Sequence, residues 1–369
     1  MRKAYPFAHA QGADWRAVAD QCLGGLGDAP RTGLGFLYAT DQLAGDMNAL
    51  LDHFRTHTGV EHWIGTIGMG ISATGREYFD VPAIAVMIAD LPAGSYHVLD
   101  AVADPDAVPE AVRQLIDSPH FAILHGDPTN AQLPDLIARC AGSMASGFVV
   151  GGLTSSRAAN VQVADHLTEG GISGVVFDER VGVVTRLTQG CSPIGQHHEV
   201  SECRRNILIQ LDGRPALEVF KEDIGEVLAR DLDRVAGYIF AGFPIAGSDT
   251  GDYLVRNLVG IDVNNNLIAV GEMLETNQPI MFCRRDGESA REDMERMLSA
   301  ISGSLSGTPR GGVYYSCLGR GPNLFGAESQ ELRMIRDALG EFPLVGFFAN
   351  GEISHDRLYG YTGVLTLFT

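Results

Sequence analysis

Hydrophobic positions along the chain switch between strand spacing and helix spacing in an order that repeats. In the first stretch, residues 35–38 predict a strand, and residues 43–54 place an apolar stripe on the helix that follows. A glycine-interrupted strand and two further strands then complete the stretch, at residues 63–71, 83–89 and 96–102. The part of this order that recurs along the chain is strand, helix, glycine-rich strand, strand.

This order of elements returns twice along the chain. The second copy has a strand at 121–124, a helix at 133–140, a glycine-rich strand at 148–152 and a hairpin at 175–187. The third copy has a strand at 313–315, a helix at 332–339 and strands at 344–348 and 363–368. We infer a repeated β-α-β-β unit. Because helices cover only one face of each sheet, we expect an α/β (α+β) fold in which mixed sheets pack face to face with helices outside.

A turn signature at residues 211–215 divides the chain into two predicted halves, 1–212 and 213–369. Beyond it, residues 224–235 predict a helix, and residues 253–283 predict antiparallel strands around an asparagine turn at 264–266. A further helix is expected at 286–301, where Ser289 and Glu292 form a capping box.

Composition and charge narrow the class of protein. The chain has 369 residues and a net charge of -19, which argues against a nucleic-acid partner because phosphate binding needs a basic face. No apolar run approaches the length of a membrane span, and the N-terminal residues lack the apolar core of a secretory signal. Six cysteines without a CxxC pair are typical of reduced thiols, so we expect a cytoplasmic protein.

A glycine loop between a predicted strand and a predicted helix is the main candidate for a binding site. The strand ends in Ser316 and Cys317, and the loop contains Gly319, Arg320 and Gly321. Free backbone N–H groups at a helix N-terminus favour an anion, and a guanidinium can bind a carboxylate through two hydrogen bonds. The loop therefore predicts a site for an anionic small molecule. The alternative is a tight turn whose arginine pairs with a carboxylate such as that of Glu352.

Polar residues that follow two other predicted strands extend the candidate site. Phe347 lies in the apolar strand that leads to Asn350 and Glu352, and Glu352 offers a carboxylate to a ligand ammonium group. Ser155 and Ser156 occupy the matching position in the second copy, where they either line the same pocket or close a turn. Glu352 together with Arg320 would suit the two charged ends of an amino acid. The alternative is an Asn-Gly turn that leaves Glu352 in solvent.

The sequence also contains residues that suit other chemistries. Cys317 is placed for a thiol enzyme, because a helix N-terminus and an arginine favour the thiolate, but no histidine base is near it in sequence. His53 and His57 have ligand-like spacing, but their helix already has a complete apolar stripe, so we expect them to face solvent and assign no metal. Haem needs an axial histidine in an apolar cleft, and the sequence singles none out, so haem is left as an open alternative.

Several motifs resemble those of the FIST family of sensory domains. The Ser-Cys-x-Gly-Arg-Gly motif at 316–321, the Leu-Phe-Gly motif at 324–326 and the Gly-Phe-Phe-Ala-Asn-Gly-Glu-Ile motif at 346–353 are similar to its C-terminal part. Residues 190–195 and 211–217 resemble the junction between its two halves. The resemblance covers nearly the whole chain from about Leu34 onward.

Membership of this family would imply a ligand-sensing protein of bacterial signal transduction. Small metabolites such as amino acids are the ligands that the resemblance suggests, and a subset of the family is associated with haem and nitric oxide. We therefore expect a small polar metabolite to bind between the two halves and to alter contact with a separate signalling protein, such as a kinase or a cyclic-nucleotide enzyme. The alternatives are a haem-binding nitric oxide sensor and a thiol enzyme that uses Cys317.

Overall fold

The computed structural model describes residues 4–27, 32–232, 235, 237–245 and 253–369. The chain forms two compact units. The first combines Met1–Thr188 with Asp293–Thr369, and the second is Gln189–Glu292. Both predicted halves of the sequence, 1–212 and 213–369, contribute residues to each unit.

Three successive segments of the first unit repeat one order of elements. Each has a strand, a helix, a strand, a helix and a strand, followed by a short hairpin and a last strand. The first segment comprises β1 (Phe7–Gln11), α1 (Trp15–Leu26), β2 (Leu34–Thr40), α2 (Met47–Thr58), β3 (His62–Gly68), β4 (Gly70–Ala73), β5 (Arg76–Phe79) and β6 (Ala83–Ala89). The second comprises β7 (Tyr96–Val102), α3 (Val108–Leu115), β8 (Phe121–Gly126), α4 (Leu133–Ser143), β9 (Phe148–Leu153), β10 (Gln162–Ala164), β11 (Leu167–Thr168) and β12 (Ile172–Phe177).

The third segment is interrupted in sequence by the second unit. It opens with β13 (Val183–Gln189). The second unit then supplies β14 (Cys191–Arg204), β15 (Ile207–Leu211), β16 (Arg214–Pro215), α5 (Ala216–Ala229), β17 (Ile239–Pro244), β18 (Tyr253–Asp262), β19 (Leu267–Val270) and β20 (Pro279–Arg285). The segment resumes with α6 (Gly287–Ser304), β21 (Gly311–Cys317), α7 (Gln330–Leu339), β22 (Leu344–Ala349), β23 (Glu352–His355), β24 (Arg357–Tyr359) and β25 (Thr362–Phe368).

The three segments build three mixed sheets of six strands each, and they exchange their hairpins in a cycle. The strand orders are β1-β6-β2-β3-β10-β11, β7-β12-β8-β9-β23-β24 and β13-β25-β21-β22-β4-β5. The hairpin of the first segment thus completes the sheet of the third, that of the second completes the first, and that of the third completes the second. The predicted repeat is confirmed, and none of these sheets is complete without a second segment.

In each sheet a glycine lies opposite the middle of one central strand, which is β2, β8 or β21. There the two central strands run parallel in register. A Cβ atom on any of these glycines would lie within 2 Å of a carbonyl oxygen of the facing strand, so no larger residue fits. The glycines and the facing residues are Gly65 with Leu37, Gly151 with Leu124, and Gly346 with Tyr314.

The inner faces of the three sheets share one core, as the predicted face-to-face packing requires. Three side chains meet there, each from the fifth residue of its strand: Tyr38 of β2, His125 of β8 and Tyr315 of β21. The Tyr38 hydroxyl lies 3.1 Å from His125 Nε2 and 2.9 Å from the Tyr315 hydroxyl. Helices α1 and α2 cover the outer face of the first sheet, and α3 and α4 cover that of the second. The predicted outside position of the helices is confirmed for these two sheets.

The second unit is a strand barrel with its own core. Its strands follow the order β14-β20-β17-β18-β19-β15-β16, and an additional pairing of β14 with β15 closes the ring. The predicted antiparallel pair around the asparagine turn is confirmed by β18 and β19. Among the residues that the structure describes, no helix is both long and apolar enough to cross a bilayer.

Two details of the predicted order were wrong. The expected hairpin at 175–187 does not form, because β12 pairs with β7 and β8 whereas β13 belongs to the third sheet. The expected strand at 63–71 is divided at Met69, because the chain leaves the first sheet after Gly68 and enters the third sheet at Gly70. Both errors have one cause: strands that are adjacent in sequence belong to different sheets.

Candidate functional site

The loop that joins β21 to α7 folds against the end of the neighbouring strand. After Cys317 the chain turns and forms a short 3-10 helix at Gly321–Asn323 before α7 begins at Gln330. Gly321 has a φ of +52°, and a Cβ atom there would lie 2.7 Å from the Phe348 ring. The loop therefore needs glycine at this position both for its backbone conformation and for its close approach to β22.

Arg320 is drawn completely into the interior by this loop. Its side chain has no exposed surface, and its Nε donates a hydrogen bond of 2.7 Å to Glu331 Oε1. The guanidinium also lies over the Phe325 ring, 4.9 Å from the ring centre. Its two outer nitrogens, Nη1 and Nη2, have no hydrogen-bond partner among the described residues. Four of the five N–H donors of this buried cationic group thus lack an acceptor among the described residues, an arrangement that is costly unless another molecule provides acceptors.

Glu331 holds the inner side of the loop together. Its fully buried carboxylate accepts hydrogen bonds from the Tyr314 hydroxyl at 2.6 Å and the Gly321 backbone N–H at 2.8 Å, in addition to the bond from Arg320. The Ser316 hydroxyl lies 3.1 Å from one of its oxygens. Sequence reasoning missed Glu331 and considered Glu352 as the arginine's partner. A signal was present, since Glu331 lies four residues before Ile335 on the apolar face of α7.

Glu352 forms the second half of the site. It is fully buried at the start of β23, and its Oε2 accepts hydrogen bonds from the Thr362 backbone N–H at 3.1 Å and the Thr362 hydroxyl at 2.8 Å. Its other oxygen, Oε1, has no partner among the residues described. Burial raises the pKa of Glu352 to about 8, although Thr362, Arg320 and Cys317 all act in the opposite direction.

Cys317 lies between the two halves of the site. Burial and the nearby Glu352 raise the pKa of its thiol, while the backbone N–H groups of Gly319 and Tyr361 and the charge of Arg320 only partly oppose this. The thiol is therefore held in its protonated form. That protonation state suits a wall or a weak hydrogen-bond donor and disfavours a nucleophilic thiolate.

The remaining predicted residues are distributed around this centre. Phe347 is buried in the shared core, where its ring stacks on Tyr38 with centres 5.6 Å apart. Ser155 donates to the Phe348 carbonyl and accepts from the Met69 N–H, so it ties together the ends of three strands. Ser156 accepts from the Ala158 N–H, as a turn residue does.

Asn350 is exposed, and its backbone N–H donates to the Leu153 carbonyl. The structure therefore brings Ser316, Cys317, Arg320 and Glu352 together around Glu331 and Thr362. It gives Asn350, Ser155 and Ser156 contacts within the surrounding turns.

The corresponding corners of the other two segments are closed by the protein itself. In the first segment, the Thr40 hydroxyl donates to the Val81 carbonyl and accepts from the Ala83 N–H. In the second, the Asp127 carboxylate accepts from Thr129, Asn160 and Gly170. Next to Thr40, Asp41 Oδ1 lacks a hydrogen bond among the described residues, but it lies 3.8 Å from an Arg157 nitrogen. The third segment differs in leaving three buried polar atoms of Arg320 and Glu352 without partners.

His53 and His57, whose spacing resembles that of metal ligands, have other contacts in the structure. His53 pairs with Asp20 at 2.7 Å, and His57 Nδ1 lies 2.8 Å from the His53 carbonyl oxygen. Burial in the shared core lowers the pKa of His125 to about 3. Within the described ranges, no group of three or more His, Cys, Asp or Glu side chains is arranged to hold a metal ion.

Two family models match consecutive parts of the chain. The FIST N domain matches residues 33–214, and the FIST C domain matches residues 216–355. Uncharacterized protein Rv0628c of Mycobacterium tuberculosis strain H37Rv is 30% identical over 321 residues, which cover 83% of this chain and 83% of that protein. Uncharacterized protein Mb0898c of Mycobacterium bovis is 28% identical over 358 residues, which cover 93% of this chain and 91% of that protein.

Proposed function

We propose that this chain, which belongs to the FIST family, senses a small polar metabolite at the buried site of Arg320 and Glu352. FIST domains are associated with sensing in signal transduction. The proposal adds the place of binding, the class of ligand, which is an amino acid or a similar molecule, and a cytoplasmic location.

One observation carries the proposal. Arg320 Nη1, Arg320 Nη2 and Glu352 Oε1 are buried polar atoms that lack partners among the described residues, and they belong to two side chains of one cluster. Two adjacent guanidinium nitrogens match the two oxygens of a carboxylate, and a carboxyl oxygen matches an ammonium group. An amino acid carries both groups close together, so it would satisfy all three atoms at once.

The position of the site in the fold suggests how ligand binding could be signalled to another protein. Arg320 follows β21 of the third sheet, whereas Glu352 begins β23, which pairs with β9 of the second sheet. A ligand that holds both residues links two sheets of the first unit. Binding would favour arrangements of these sheets that fit the ligand, and we propose that a separate signalling protein, such as a kinase or a cyclic-nucleotide enzyme, recognises that change.

The proposal is tested by ligand-induced thermal stabilisation, with the twenty L-amino acids as probes. At least one of them should raise the melting temperature of the wild type, because a ligand that binds only the folded state stabilises it. Arg320→Lys keeps a positive charge beside Glu331 but lacks the two outer nitrogens, and it should abolish the shift. Arg333→Lys, on an exposed part of α7, is the matched control and should leave the shift unchanged.

Equal stabilisation of wild type and Arg320→Lys would remove Arg320 from the site. Native mass spectrometry of the purified protein separates the alternatives. An added mass of amino-acid size supports the proposal. An added mass equal to haem, with a Soret band, would instead favour the haem-binding nitric oxide sensor.

A further inference from the structure

The hydrogen-bond donors around Glu352 favour the ionised form of its carboxyl group, whereas burial favours the neutral form. Oε2 accepts two hydrogen bonds from Thr362, and the Cys317 thiol is close enough to lower the pKa of the carboxyl group. Donors of this kind favour the charged form. A carboxyl group that was to remain neutral would need an acceptor for its own proton, and Oε1 has no partner among the described residues.

Among the described residues, no positively charged group is in direct contact with the Glu352 carboxyl group. Arg320 is the nearby cation, but its Nε is bonded to Glu331, and burial still raises the pKa of Glu352 to about 8. Among the described residues, the Cys317 thiol and Thr362 also act on its carboxyl group, and Gly152 of β9 and Tyr359 of β24 lie beside it in the sheet; none of these residues is cationic. Without a ligand, Glu352 is therefore largely protonated at neutral pH.

We propose that Glu352 selects ligands that carry an ammonium group beside their carboxylate, and that binding of such a ligand releases one proton from Glu352 to solvent. The ammonium group takes the place beside Oε1, and the ligand carboxylate binds the outer nitrogens of Arg320. The O–H bond of Glu352 breaks, its electron pair stays on the carboxylate, and a buffer base accepts the proton. This inference rests on the proposed function and adds the charge pattern of the ligand.

Proton release makes binding depend on pH with a defined sign. Since the complex requires ionised Glu352, each pH unit below the pKa of about 8 should weaken binding of an amino acid about tenfold. Above that pKa the affinity should level off until the ligand's own ammonium group loses its proton. A ligand with a carboxylate alone would show the opposite trend, because protonated Glu352 would donate a hydrogen bond to it.

The experiment is isothermal titration calorimetry in two buffers of different ionisation enthalpy. The probes are the L-amino acid that gives the largest thermal shift and its 2-hydroxy acid analogue. For the wild type, the amino acid should release about 0.9 proton at pH 7 and about 0.5 at pH 8, as a group with a pKa of about 8 requires. The hydroxy acid should bind at least tenfold more weakly.

Two variants assign the proton to Glu352. Glu352→Gln should bind the amino acid at least tenfold more weakly and without proton release. Thr362→Val removes one donor to Oε2 while keeping the side-chain shape, so the pKa of Glu352 should rise further and proton release at pH 8 should exceed that of the wild type. Thr362→Val keeps the assignment testable if Glu352→Gln does not fold.

The outcomes separate this inference from the function on which it rests. Amino-acid binding without proton release at pH 7, or hydroxy-acid binding of equal strength, would overturn the inference and leave a small-metabolite sensor in place. If proton release is unchanged in both variants, the released proton comes from a group other than Glu352, and the inference is overturned. Failure of amino acids and hydroxy acids alike to bind would remove both proposals.

Discussion

The buried carboxylate of Glu331 gives the sharpest test of how the site is held together. It accepts hydrogen bonds from Tyr314, Arg320 and Gly321, with Ser316 at 3.1 Å, and it is fully buried. The substitution Glu331→Gln keeps the size of the side chain and removes its charge. It also turns an amide NH2 group toward groups that are themselves donors, so at least one donor loses its acceptor.

The expected cost follows from the charge that remains. Arg320 is also fully buried, and after the substitution its guanidinium has no carboxylate in contact. Removing one partner of a buried ion pair typically costs about 3–5 kcal/mol, because the other charge stays desolvated. The double substitution Arg320→Met with Glu331→Gln removes both charges. It should therefore be more stable than Glu331→Gln alone, although it contains one more change.

Equilibrium unfolding in urea measures this cost. Trp15 and Trp63 both lie in the first compact unit, so tryptophan fluorescence reports the unit that contains the site. Asp337→Asn is the matched control, since Asp337 pairs with Arg336 at 2.7 Å on the exposed side of α7. Loss of such an exposed pair should cost less than about 1 kcal/mol. A cost of about 1 kcal/mol or less for Glu331→Gln would refute the reasoning, as would a double variant less stable than the single one.

Two further predictions concern the rest of the chain. Gly346→Ala places a Cβ atom 1.9 Å from the Tyr314 carbonyl oxygen and should destabilise the first unit by about 3 kcal/mol or more. In the same urea assay, Gly303→Ala near the end of α6 meets no atom within 4 Å and should be neutral or stabilising by up to about 1 kcal/mol, because alanine favours a helix more than glycine does. In the second unit, hydrogen bonds to Asp212 and Asp223 raise the pKa of His198 even though burial alone would lower it. These hydrogen bonds contribute fully to the free energy of unfolding at pH values below the ordinary histidine pKa of about 6.5, and the contribution is lost as the pH rises through the folded-state pKa of His198. Calorimetric unfolding should therefore show a decrease in stability above about pH 6.5 that the His198→Gln variant lacks.

Local sequence was enough to predict the repeat and the candidate loop. The spacing of apolar residues marks a strand or a helix without knowledge of its neighbours, and three copies of one pattern therefore predict three similar units. The loop at 319–321 was predictable for a similar reason. A glycine-rich turn between a strand and a helix, with one arginine in it, is a local feature that does not depend on what surrounds it.

The tertiary structure decided which side chains meet. Glu331 and Glu352 are 21 positions apart, and Thr362 is ten residues beyond Glu352. Their approach depends on β23 leaving the third sheet and pairing with β9, because this crossing carries Glu352 to the end of β21. The spacing of apolar residues describes each strand by itself and does not say which sheet a strand joins.

Residue spacing along the chain predicts the repeated strands and helices, the arginine loop and an acidic residue after β22. The folded structure was needed to show that Arg320 pairs with Glu331 and that the hairpins exchange among the sheets. It was also needed to show that Glu352 is buried and that one of its oxygens has no partner among the described residues. The physical reason is that helices and strands form from local spacing, whereas burial, hydrogen-bond partners and pKa depend on groups that the fold brings together from distant parts of the chain.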